Sequence, residues 1–135
     1  MKRLFSSKYS DNGIAFALLI LRITAGGLVI THGYSKLVSF ASKSSTFADP
    51  YHIGHSTSLA LVIFAEFFCA VLIVLGLLTR LACIPLIISM GTVVFFVNHG
   101  KFTGEAELPA LFLGCFITLL FTGPGKASLD RLIGK

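Results

Sequence analysis

Charge is scarce in this chain. Only 13% of its 135 residues are Asp, Glu, Lys or Arg, about half the share found in an average soluble domain. Hydrophobic residues make up 55%, and a soluble domain of this length buries only about two-thirds of its unfolded surface, too little to hide them from water. Lipid is their natural destination. The three cysteines, Cys69, Cys83 and Cys115, form no C-x-x-C and lie in separate apolar stretches, which excludes a recognisable disulfide or zinc framework. They read as small buried hydrophobes, the alternative being an intramembrane dithiol. There is no flavin, haem or iron–sulfur ligation pattern. Nor is there an internal repeat or a Pro/Ser/Gly linker, so a single domain over 1–135 is expected. The formal charge is +5, yet the cations form no patch interleaved with stacking aromatics, and nucleic acid is not an expected partner. They stand instead at the ends of apolar runs, where they would anchor helices at a bilayer surface.

Those runs predict an all-α transmembrane four-helix bundle with helices over about 14–33, 57–78, 81–98 and 105–122 and an outer loop over about 34–56. Each run is near the ~17–25 residues a helix needs to cross a ~30 Å hydrocarbon core. The first follows Met1-Lys2-Arg3, as a signal peptide would, but Arg22 interrupts it and no small-residue cleavage site closes it. Pro109 falls in the first turn of the fourth helix, where no backbone donor is lost. Lys2, Arg3, Lys8, Arg80, Lys126, Arg131 and Lys135 on one side, against Lys36, Lys43 and Lys101 on the other, place both termini in the cytoplasm. Thr79-Arg80 leaves room only for a tight antiparallel hairpin between helices two and three.

Candidate chemistry gathers in two layers. Arg22 and Glu66 stand inside apolar segments, where a central charge costs at least ~2.5–3.5 kcal/mol. Counting ~1.5 Å per residue puts them about 12 Å and 18 Å from the cytoplasmic side, so they are expected to neutralise each other. Nearer the outside, His32 and Lys36 are four residues apart on one helical face, His99 ends helix three and Glu107 opens helix four. Arg22, His32, Lys36, Glu66, His99 and Glu107 are therefore the candidate ligand-binding residues, around a polar mouth between helices one, two and four. The competing reading is structural: an ion pair that holds the bundle together, with interfacial side chains reaching for headgroups. His52-x-x-His55 lacks a matching second pair, and no metal site is expected.

Leu21-Arg22, His32-Gly33-Tyr34-Ser35-Lys36-Leu37, Glu66, Gly76-Leu77-Leu78-Thr79-Arg80, Glu107-Leu108 and Thr122-Gly123-Pro124-Gly125 resemble, in order, the DoxX family. The resemblance covers almost the whole chain. It implies a four-helix protein of the bacterial inner membrane, related to the small membrane subunit of a thiosulfate:quinone oxidoreductase. From it follow the expected partners, the lipid bilayer and another redox subunit that would supply electrons. No cofactor is identified, and the expected substrate is a quinone or another small polar molecule. A noncatalytic scaffold or small-solute carrier is the alternative function, and fold alone does not decide between them.

Overall fold

The computed structural model describes residues 2–134. Its four membrane-length helices are α1 (Asp11–Val38), α2 (His55–Leu75), α3 (Thr79–Val97) and α4 (Gly104–Thr122), followed by a short α5 (Leu129–Gly134). All described regular structure is helical.

Local chemistry sets each boundary. Ser10 has an extended backbone and its hydroxyl accepts from the Gly13 N–H, satisfying one donor that a helix start leaves free. This cap starts α1 three residues before the expected Ile14. α2 stops at Gly76, whose φ of 71° suits a residue without Cβ. There the Leu77 N–H reaches the Leu72 carbonyl and the Gly76 N–H that of Ile73, the bond pair that closes a helix in a Schellman turn. Gly76 is also required by contact: a Cβ there would lie 2.5 Å from the Ser128 Cβ. α3 begins without a capping side chain of its own. Its cap comes from α5, where the Asp130 carboxylate accepts from the Leu78 N–H at 2.7 Å and the Thr79 N–H at 2.9 Å.

The core runs down the bundle axis. Ala25 and Val29 of α1, Ala65, Cys69, Ala70 and Ile73 of α2, Cys83, Leu86 and Met90 of α3, and Phe112, Phe116 and Leu119 of α4 form one buried cluster. Small residues between α1 and α2 let the backbones close up, which is how helices gain contact where lipid is as apolar as they are. Large hydrophobic side chains cover the outside, among them Phe16, Leu61, Ile88, Phe95 and Phe121, all more than a third exposed. In water such a surface would aggregate; facing acyl chains it is solvated. Cys69 and Cys83 are buried, Cys115 is partly so, and all three are unpaired.

Three stretches carry π-helical turns: Arg22–Gly26 in α1, Phe64–Cys69 in α2 and Val93–Val97 in α3. Each widens the helix by one residue per turn and re-aims the side chains beyond it. Two of them hold Arg22 and Glu66.

Candidate functional site

Arg22 and Glu66 do not meet. Arg22, 2% exposed, spends its guanidinium on backbone carbonyls. Nε donates to Ile73 and Nη2 to Val74, both at 3.1 Å, while Nη1 donates to Pro124 and Ala127, both at 2.7 Å. The expected Arg22–Glu66 pair is thus corrected, and the reason is geometric. The first turns of α1 run alongside the C-terminal segment, with Gly125 packed on Leu18 and Ala15 and Lys126 3.7 Å from Asp11. Arg22 therefore lies level with the end of α2, where the last carbonyls of a helix lack intrahelical donors. A planar fork of five N–H groups can serve several of them at once.

Glu66 pairs with Lys36. Lys36 Nζ lies 2.5 Å from Glu66 Oε2, with side-chain exposures of 23% and 5%. Two features bring them together. Gly33, one turn before Lys36, lets α1 approach until a Cβ there would stand 2.6–2.7 Å from the Glu66 and Phe67 backbone. In addition, α1 continues to Val38 instead of ending near residue 33, so Lys36 is carried on a helix and not on a loop.

The pair lines a cavity of about 530 Å³ between α2, α3 and the loop that joins α1 to α2. Ser58, Ser89, Thr92 and Tyr51 add polar atoms, whereas Leu61, Val62, Phe64, Ile88, Val93 and Val97 make the walls apolar. Leu61, Phe64 and Ile88 are each about half exposed on the lipid-facing surface, so the cavity opens sideways between α2 and α3.

The loop, 39–54, forms a roof. Phe47, Ala48, Pro50, Tyr51 and Ile53 all face the cavity. Asp49 holds the roof in shape by accepting from the Ile53 N–H, the Gly54 N–H and the Ser58 hydroxyl at 2.8–2.9 Å. Partial desolvation pushes the Asp49 carboxyl up, but those hydrogen bonds and the neighbouring His55 more than offset it and hold it below the usual carboxylate range. His55 Nδ1 bonds the Phe47 carbonyl at 2.5 Å, which spends that nitrogen on structure. Thr92 donates to the Ile88 carbonyl, so in the 2.7 Å contact between Tyr51 and Thr92 the phenol is the donor. That bond latches the roof to α3.

Of the six candidate residues, Lys36 and Glu66 line this cavity and Arg22, His32, His99 and Glu107 do not. His32 is exposed and presents its ring edge-on to Phe112 of α4 at 6.3 Å. His99, with φ 53°, lies in the turn after α3, and Glu107 sits with Glu105 at a shallow depression beside α4. The cavity therefore lies between α2 and α3, not between helices one, two and four. Sequence reasoning missed Asp49, Tyr51, Ser58, Ser89 and Thr92. Of these, Asp49-Pro50 ahead of a helix start carried a readable signal, because a side-chain oxygen there commonly captures nearby N–H groups.

The DoxX family model matches residues 17–99. The chain is similar to the inner membrane protein YphA of Escherichia coli, 32% identical over 92% of this chain and 96% of that one. It is also similar to the inner membrane protein YqjF of the same organism, 30% identical over 95% and 97%. An uncharacterized membrane protein of Mycobacterium tuberculosis, Rv3486, is 39% identical over 52% of each chain. No solved structure matches significantly.

Proposed function

This chain belongs to the DoxX family and is an inner-membrane protein, and from that premise we propose that it binds a quinone-type lipophile in the α2/α3 cavity as the membrane subunit of a redox system. The observation that carries this reading is a partly buried Lys36–Glu66 pair at the wall of a largely apolar, laterally open cavity. A pocket of some hundreds of Å³ with apolar walls and few polar groups is the usual form of a small-molecule site. A ring fits between α2 and α3, a tail can leave through the gap lined by Leu61, Phe64 and Ile88 into the acyl chains, and the ring oxygens find donors at Lys36. Lys36 and Glu66 can also exchange a proton with such a ligand. Electrons come from a partner subunit or from the ligand's own redox partner.

We further propose that both termini are cytoplasmic. With Lys36 paired to Glu66 of α2, the face carrying residues 39–54 and 98–103 retains only Lys43 and Lys101. Lys2, Arg3, Lys8, Arg80, Lys126 and Arg131 lie on the opposite side, and that asymmetry supports this orientation.

The experiment is to purify the protein in mild detergent, extract it with organic solvent and identify the lipophile by mass spectrometry. A stoichiometric quinone in wild type, lost in Val62→Trp, which fills the cavity, is the expected result. An extract containing only bulk phospholipid from both proteins would favour a noncatalytic scaffold.

A further inference from the structure

We propose that Ser89 is the hydroxyl that anchors the ligand in this cavity, and that the cavity selects a neutral head group carrying an acceptor oxygen over an anion. The inference rests on the ligand-binding reading above and specifies what that site recognises.

Two buried hydroxyls of these helices, Thr79 and Ser89, have no hydrogen-bond partner among the described residues, and of the two only Ser89 lines the cavity. Thr31, Thr92, Thr118 and Thr122 each donate to a carbonyl three or four residues back, the ordinary resolution for a hydroxyl in an apolar helix. For Ser89 the equivalent acceptor would be the carbonyl of Pro85, one turn below. It is not used: Ser89 is 8% exposed, and its Oγ has no hydrogen-bond partner among the described residues. A buried hydroxyl without a partner is unfavourable and uncommon. This one lines the cavity, so its missing partner belongs to whatever fills that space.

Charge balance settles the class of ligand. Lys36 and Glu66 neutralise each other at 2.5 Å, and no other charged side chain lines the cavity. A carboxylate or inorganic anion would bring a third charge to a low-dielectric wall with nothing to balance it, a heavy desolvation penalty. A carbonyl or hydroxyl brings none. It can accept from Ser89 Oγ or from the two ammonium hydrogens that Lys36 does not give to Glu66.

The test uses the full chain in lipid nanodiscs and saturation binding of tritiated decylubiquinone, a neutral two-carbonyl probe, with palmitate as competitor. Ser89→Ala is expected to weaken probe binding about three- to tenfold, the value of one hydrogen bond. Ser89→Thr should keep it within about twofold. Without probe, the melting temperature of Ser89→Ala should equal or exceed that of wild type, because no protein bond is lost. A merely structural serine would behave in the opposite way, lowering the melting temperature and leaving affinity alone. Unchanged binding in Ser89→Ala, with binding abolished in Val62→Trp, would keep the cavity as the site and overturn the role of Ser89. Palmitate displacing the probe at equal concentration would overturn selection for a neutral head. Absence of saturable probe binding to wild type would overturn both this inference and the quinone reading beneath it.

Discussion

Gly33 and Glu66 stand at the closest crossing of α1 and α2: a Cβ on Gly33 would lie 2.6 Å from the Glu66 carbonyl carbon. That approach is backbone against backbone, so no rotamer change can relieve it. Gly33→Ala should force the helices apart and lengthen the Lys36–Glu66 contact. The expected destabilisation is about 1–3 kcal/mol, the usual result of overpacking, read as a lower melting temperature in detergent. A variant as stable as wild type would show that the two helices cross more loosely.

Lys36 and Glu66 form one unit and Arg22 belongs to another. Lys36→Met alone leaves a buried carboxylate without its cation, and the loss should be about 3–5 kcal/mol, whereas Lys36→Met with Glu66→Leu should recover most of it. Arg22→Gln strips donors from four carbonyls and should lose roughly 3 kcal/mol or more. Because the two clusters share no partner, Arg22→Gln and Glu66→Gln should be additive within about 0.5 kcal/mol. Strong coupling between them, measured by a double-mutant cycle, would restore the direct pairing that the structure excludes.

Asp130 gives the C-terminal segment a pH dependence. Partial burial pushes its carboxyl up, but the Thr79 and Leu78 amides and the nearby charge of Arg22 pull it further down, and it rests below its usual range. A depressed carboxylate adds stability above its unfolded pKa of about 4, and that stability is lost as pH falls through the lower folded value. Hydrogen exchange at Leu78 and Thr79, taken relative to the intrinsic amide rate at each pH, should therefore accelerate below about pH 4 in wild type. In Asp130→Asn it should already be fast at neutral pH; a wild-type profile flat down to the lowest pH tested contradicts the cap.

Topology is accessible by labelling. With the termini cytoplasmic, Ser45→Cys in the roof should react with an impermeant maleimide in intact cells. Ser7→Cys should react only after lysis, on a background where Cys69, Cys83 and Cys115 are replaced by alanine. The reverse pattern would invert the molecule.

The four spans were legible because an apolar run of membrane length has few other fates. Their ends were less so: the first helix extends beyond the expected 14–33 at both ends, started by the Ser10 cap and prolonged to Val38, and Lys36 in its last turn finds Glu66. The partner of Arg22 could not be read from residue types, since a carbonyl looks the same whatever residue carries it. A sequence invites charges to be matched with charges, and that drew Arg22 to Glu66. The cavity was hidden for a related reason. Ser89 is marked out by a bond it does not make and by its place on the cavity wall, neither of which shows in residue types, and the roof depends on three donors converging on Asp49, two of them backbone N–H groups.

The anchoring of Arg22 has a consequence in time. Two of its four acceptors, Pro124 and Ala127, lie 102 and 105 residues further along the chain. At a ribosomal pace of about 5–20 residues per second, α1 waits roughly 5–20 s for the last of its acceptors, with Ile73 and Val74 arriving about halfway through. A chain cut short before Pro124 never gains those two acceptors. Arg22 thus ties the first span to the end of the chain, because its hydrogen bonding is complete only once Pro124 and Ala127 are in place.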